Sequence, residues 1–273
     1  MENLTFTRYL YPKLDVKQSL LIALLERKSD EALFWAYEIY FSGFEEDIFD
    51  YIDNIYLGFY KIENPELEVF IKENREYWKM NKNDCIVGSI IMTFSLRNYQ
   101  ICEFIKEYIG EPCFTNIQQT KMRKFLVKFS ENDLIKYKTV LPNDGNARYY
   151  LKNVCKYPIR RKYNEFFGID CLDYRDAFYY NWEYYAAKSP IWMTRIKEQH
   201  GIINNETKKV EFPNDELFEA FYDKWQLEPD EQSLDLQEKC IGNSSCKQLP
   251  KEDFYENFGG IKRELKNSII YMV

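Results

Sequence analysis

A single histidine, ten glycines and nine prolines serve a chain of 273 residues. Ser-His and Cys-His catalysis both need an imidazole steadied by a third group, and His200 is the one candidate. It stands beside Gly201 at an expected helix end, where an imidazole suits the terminal carbonyls, so its position predicts a structural role. The glycines form neither G-x-G-x-x-G nor G-x-x-x-x-G-K-[ST]. Without such a loop no backbone cradle for a nucleotide phosphate is expected, which argues against a Rossmann or nucleotide-hydrolysing enzyme. Scarce Gly and Pro also argue against collagen-like, linker-like and turn-dense all-β chains. The longest apolar runs, Leu20 to Leu25 and the neighbourhood of Ile90 to Met92, fall short of the roughly 18 residues of a membrane span. Met1 to Leu14 shows no apolar stretch ahead of a small-residue cleavage site, so secretion is not expected.

Disulfide architecture is not expected either. The seven cysteines (Cys85, Cys102, Cys113, Cys155, Cys171, Cys240 and Cys246) are odd in number and scattered, which reads as free thiols in a reducing compartment. His200 with Cys240 and Cys246 matches no zinc spacing, and no metal or other cofactor is expected.

What the chain does have is 45% hydrophobic and 30% charged residues, a globular balance, with a net charge of -7. Aromatic residues are abundant, with 23 Tyr, 20 Phe and 5 Trp. Heavy use of Lys, Asn, Ile, Phe and Tyr, whose codons are AT-rich, accounts for part of that surplus.

Helix signals dominate. Asp15 followed by Gln18 has the capping-box spacing ahead of Leu20 to Leu25. Ser29 is placed to cap a second helix whose apolar face is Leu33, Ala36, Tyr37, Tyr40 and Phe41, with Gly43 to end it. A third carries Ile48, Ile52, Ile55 and Phe59. A fourth opens at Asn64-Pro65 and aligns Leu67, Phe70, Ile71 and Trp78. A fifth begins near Asn83 and Asp84, and further helices are expected over 98–109, 115–129, 131–140 and 146–156. Starts every fifteen to nineteen residues fit a stacked helical-hairpin, HEAT-like solenoid, with a non-repetitive helical domain joined by ordinary short connections as the alternative. After Pro158, Asp173 is placed to cap an aromatic helix with Phe178, Tyr179, Trp182 and Tyr185. Ser189-Pro190 opens the next helix, 202–212 reads as a β-hairpin, and Asn214 caps a helix holding Phe218 and Phe221. The expected fold is mainly α, organised as a hairpin stack over 1–157, an aromatic-rich helical region over 158–241 packed on it, and a less regular tail over 242–273.

Charge is segregated. Glu26 to Glu76 holds fourteen acids and five bases, and Glu211 to Asp235 holds nine acids and one base. Between them, Lys121 to Lys162 holds twelve bases and three acids. On helices, Lys121, Lys124 and Lys128 form one row and Arg148, Lys152 and Lys156 another, with Arg160, Arg161 and Lys162 directly after. Tyr149, Tyr150, Tyr157 and Tyr163 are interleaved. Rows of cations neutralise phosphates and tyrosines stack on unpaired bases, so single-stranded RNA is one expected ligand. An acidic protein surface or plain solvation are the others. The carboxylates Asp170, Asp173, Asp176 and Glu183 are spaced for one helical face and offer a Mg²⁺-dependent nuclease as the enzymatic alternative; a cap and dipole role for them is the simpler reading.

The stretch Arg8 to Phe44, RYLYPKLDVKQSLLIALLERKSDEALFWAYEIYFSGF, resembles an uncharacterised family of large nucleocytoplasmic DNA viruses, the mimivirus relatives, as does Trp182 to Ile196, WEYYAAKSPIWMTRI. The resemblance brings no catalytic residues. It implies a protein of the host cytoplasm, in virus factories, with partners in the viral gene-expression machinery. The expected function is therefore a non-enzymatic scaffold or adaptor that binds protein partners and RNA, in its sharpest form a HEAT-like scaffold of a virus-encoded translation-initiation complex. The Y-x4-L-Φ peptide that grips a cap-binding subunit is met only in spacing, by Tyr9 with Leu14 and Tyr222 with Leu227, because Asp15 and Glu228 fill its last position. A virion or factory structural protein with aromatic assembly contacts is the remaining alternative.

Overall fold

Helices that are apolar on every side belong at the centre of a domain, and three of them form the middle of this one. The computed structural model describes residues 3–109, 124–138, 147–225, 227–243 and 245–259. Helix α1 (Lys13–Leu25) buries every residue from Gln18 to Leu25, and α2 (Ser29–Tyr40) buries all from Glu31 to Tyr40. The sequence periodicity predicted a single apolar face for α2; beyond its first turn the structure buries it on every side, with Phe34, Trp35 and Ile39 buried as well. Three residues separate α1 from α2, and the two pack as a hairpin. Further on, α3 (Glu45–Ile55), continued by a wider turn over Tyr56–Tyr60, and α4 (Leu67–Asn81) expose one side and bury Ile48, Ile52, Ile71 and Trp78. The strongly apolar α5 (Cys85–Ser95) lies against α2, α1 and α4, and α6 (Cys102–Ile109) packs on the wider turn.

The helix expected over 115–129 is not found where the chain is described: residues 124–130 are extended along α5. The hydroxyls of Thr93 and Ser89 accept from the backbone N–H of Val127 and Phe129 at 3.1 and 3.0 Å, so α5 satisfies donors that a helix would have paired internally. Gly88 permits this approach, because a Cβ there would stand 2.5 Å from Phe129 Cδ1. The helix expected over 131–140 shrinks to α7 (Glu131–Leu134), which Ser130 and Asp133 close with a capping box.

Then α8 (Ala147–Val154) leads into irregular backbone through residue 174. The short α9 (Arg175–Tyr180), α10 (Trp182–Ala186) and α11 (Pro190–Glu198) follow, the last opened by Pro190 as its sequence predicted. His200, at a φ of 57°, ends that segment. The expected hairpin is present as β1 (Ile202–Asn204) and β2 (Lys209–Glu211), with Ile203 opposite Val210. Helix α12 (Asp215–Trp225) is capped by Asn214, whose Oδ1 accepts from Leu217 N at 2.9 Å. Helices α13 (Leu234–Ile241) and α14 (Lys251–Gly259) complete the described chain.

Its first residues bind the two halves together. Trp192 Nε1 donates to Thr7 O at 3.1 Å, Tyr11 Oη donates to Tyr157 O at 2.9 Å, and Phe6 meets Phe178 and Tyr185 edge-on. The buried Arg8 pairs with Glu38 at 2.9 Å and also donates to Tyr137 O. In a linear solenoid each repeat touches only its neighbours; here the chain closes back on its own start. The expected boundaries at 157 and 241 fall inside one continuous apolar core running from Leu4 to Phe258.

Candidate functional site

A basic segment needs counter-charge, and this one finds it within the chain. Lys124 pairs with Glu66 at 3.4 Å, Lys136 with Asp30 at 2.9 Å and Lys138 with Asp84 at 2.8 Å. Arg160 reaches both Glu26 at 2.8 Å and Glu31 at 2.7 Å. An acidic partner surface was one of the alternatives for this segment; for these cations the acids are supplied by the chain's own residues 26–84.

Each member of the expected basic site can be placed against that background. Lys121 lies outside the described residues, and so do the side chains of Arg148 and Tyr149 on α8. Lys124 and Lys128 stand on the extended stretch, not on a helical row. Lys128, Lys152, Lys156 and Lys162 are exposed and take part in none of the ion pairs among the described residues. Arg161 behaves differently: its side chain is only 4% exposed, lies 3.7 Å from Asp15 and donates to Ile241 O and Leu172 O at 3.2 and 2.7 Å. It is a cation of the interior. Three of the interleaved tyrosines turn inward too: Tyr150 and Tyr163 are buried, and the half-buried Tyr157 packs edge-on against Phe34. They are not the open stacking platforms that their spacing suggested.

Beneath Arg161 lies a polar cluster on α1. Asp15 does not cap the helix, which starts at Lys13; it sits in the first turn, fully buried. Asn164 Nδ2 donates to Asp15 Oδ1, and Gln18 Nε2 donates to both Asn164 Oδ1 and Arg160 O at 2.7 Å. Burial pushes the Asp15 carboxyl up to about 6, against the opposing pull of Arg161 and Asn164. The segment 160–164 is therefore anchored to α1 by side chains of both.

That anchoring shapes a groove of about 1020 Å³ between the α1–α2 turn, residues 158–163 and α13. Ile22, Ile159, Tyr163, Leu249 and Phe258 give it apolar walls. Its rim carries both signs of charge: Lys28, Arg160, Lys162 and Lys239 against Glu26, Glu31, Asp235 and Glu238. Gly242, at a φ of 76°, turns the chain at one lip, and a Cβ there would overlap the Arg161 stem. The volume is that of a ligand-sized cleft. Periodicity had no means of finding it, because its walls come from segments over two hundred residues apart.

Two carboxylates of the nuclease alternative have partners within the chain. Asp173 accepts from Arg175 N at 3.0 Å and pairs with its guanidinium. Glu183 is half-buried and accepts from Tyr222 Oη, and desolvation pushes its carboxyl above the usual carboxylate range. Asp170 and Asp176 are exposed. Among the described residues, no group of three or more His, Cys, Asp or Glu could hold a metal ion. No described helix is long and apolar enough to cross a membrane. In comparison with known proteins, the chain matches no family model, no curated protein and no solved structure.

Proposed function

We propose that this protein is a non-enzymatic helical adaptor, and that the groove beside Arg160 is where it holds a segment of a partner protein. The observation that carries the reading is the groove's make-up: apolar walls for an anchoring side chain, and a rim of both charge signs for the flanking residues of a polypeptide. A nucleic acid would favour a rim of one sign and open aromatic faces, whereas here four acids share the rim and Tyr163, which lines the groove, is buried. Contact with single-stranded RNA is the second reading. It is supported by four exposed lysines, Lys128, Lys152, Lys156 and Lys162, that take part in no ion pair among the described residues. The resemblance of Arg8–Phe44 and Trp182–Ile196 to a giant-virus family supports a setting in cytoplasmic viral gene expression.

The test is affinity purification from infected cells, comparing the wild-type chain with a rim variant carrying Lys162→Glu and Asp235→Lys. Both positions are exposed, so the fold should tolerate the exchange. Transcription or translation proteins recovered with the wild type and lost with the variant support the adaptor. Capsid proteins recovered equally with both would favour a virion structural role and overturn the groove assignment.

A further inference from the structure

Two thiols meet in the interior: Cys155 Sγ and Cys240 Sγ are 3.3 Å apart, and neither residue has any exposed surface. We infer that Cys155 and Cys240 are a disulfide-forming pair whose oxidation fastens α13 to the segment that follows α8. The inference stands independently of the adaptor reading.

Geometry favours it. A disulfide needs its sulfurs at about 2.05 Å, so closure asks for a side-chain movement of little more than an ångström. The backbones on either side are already held together. Ile159 N donates to Lys239 O at 2.9 Å, and Arg161 Nη1 donates to Ile241 O at 3.2 Å. In the reduced state the thiols form a chain, with Cys240 donating to Cys155 and Cys155 donating to Tyr9 O at 3.8 Å. Oxidation would replace the first of these contacts with a covalent bond.

A low-molecular-weight disulfide such as oxidised glutathione supplies the oxidising equivalents. One protein thiolate attacks it, forming a mixed disulfide and releasing one glutathione thiol. The second cysteine then attacks the protein-bound sulfur and releases the second, so two protein thiols become one disulfide as one glutathione disulfide becomes two thiols. Because both cysteines are buried, exchange has to follow local opening, and burial further raises the Cys240 thiol, so the reaction should be slow on the folded chain. The consequence is mechanical. Helix α13 contributes Asp235, Glu238 and Lys239 to the lining of the groove, and residues 158–163 contribute the adjoining wall. A bond between Cys155 and Cys240 limits how far those walls separate.

The test is incubation of the full chain with oxidised glutathione, followed by removal of excess reagent, denaturation and thiol counting. The expected product retains its 155–240 cross-link in non-reducing peptide mapping and has an intact mass lower by about 2 Da for each disulfide. Reduction should reverse it, and oxidation should raise the Tm by roughly 5–10 °C. Cys155→Ser and Cys240→Ser should each abolish the linked peptide. Peptide mapping of the wild type stands even if a variant fails to fold. Persistence of both thiols after global unfolding and refolding in the presence of the oxidant, or linkage of either cysteine to some other partner instead, would overturn the inference.

Discussion

Arg160 grips Glu31 with two nitrogens: Nε donates to Oε1 and Nη2 donates to Oε2, each at 2.7 Å. Fork-to-fork pairing of this kind fixes orientation as well as charge. Glu31 also accepts from Trp35 Nε1 at 3.2 Å, and the third Arg160 nitrogen donates to Glu26 at 2.8 Å. The pair therefore joins the basic middle of the chain to the start of α2 and forms part of the groove rim. Because Glu31 is nearly buried and Arg160 about one-fifth exposed, removing one partner strands the other in a partly dry site. Glu31→Gln should cost about 1–3 kcal/mol in urea unfolding, and a double-mutant cycle with Arg160→Met should show coupling. Additive effects would mean that the pair contributes no specific interaction.

Asp15 gives a pH signature. Its carboxyl is raised from 3.8 to about 6 in the folded chain, so the folded state keeps a proton that the unfolded state releases. The stabilisation is fully present below the unfolded value and is lost as pH rises through the folded one, by on the order of 2–3 kcal/mol. Other carboxylates add their own slopes, so the informative quantity is the wild-type stability minus that of Asp15→Asn across this range. That difference should fall with rising pH and level off near neutrality. A flat difference would show that Asp15 titrates normally.

Gly88 is predicted to be intolerant of a side chain. A Cβ would press on Phe129 and on the Tyr37 hydroxyl, each at 2.5 Å. Gly88→Ala should cost about 1–3 kcal/mol as overpacking, although alanine favours the helix itself. Hydrogen exchange should show lost protection at Val127 and Phe129, whose N–H groups rest on the α5 hydroxyls. Unchanged protection would mean that the extended segment shifts without losing its bonds.

The RNA reading makes a prediction of its own. Lys152, Lys156 and Lys162 changed together to Glu should leave stability nearly unaltered, since none belongs to an ion pair among the described residues. Each lost phosphate contact should lower the salt slope of single-stranded RNA binding by about 0.7. Equal slopes for wild type and variant would remove these lysines from any RNA contact.

Local pattern alone determined much of the helical framework. The apolar runs of α1, α2 and α5, the Ser189-Pro190 start of α11, the Asn214 cap and the turn of the β-hairpin are short-range features, and the structure contains them. The segregation of charge was also legible. Its meaning was not, because Lys136 and Asp30, or Arg160 and Glu31, are brought together only by folding. Tertiary structure likewise decided that 124–130 would be extended, since the competing hydrogen-bond acceptors lie on α5 and the space is left by Gly88. Arg161 became an interior cation, Tyr150 and Tyr163 turned inward, Cys155 met Cys240 and the groove took shape for the same reason: each depends on contacts between residues far apart in the chain, which periodicity along a single helix does not encode.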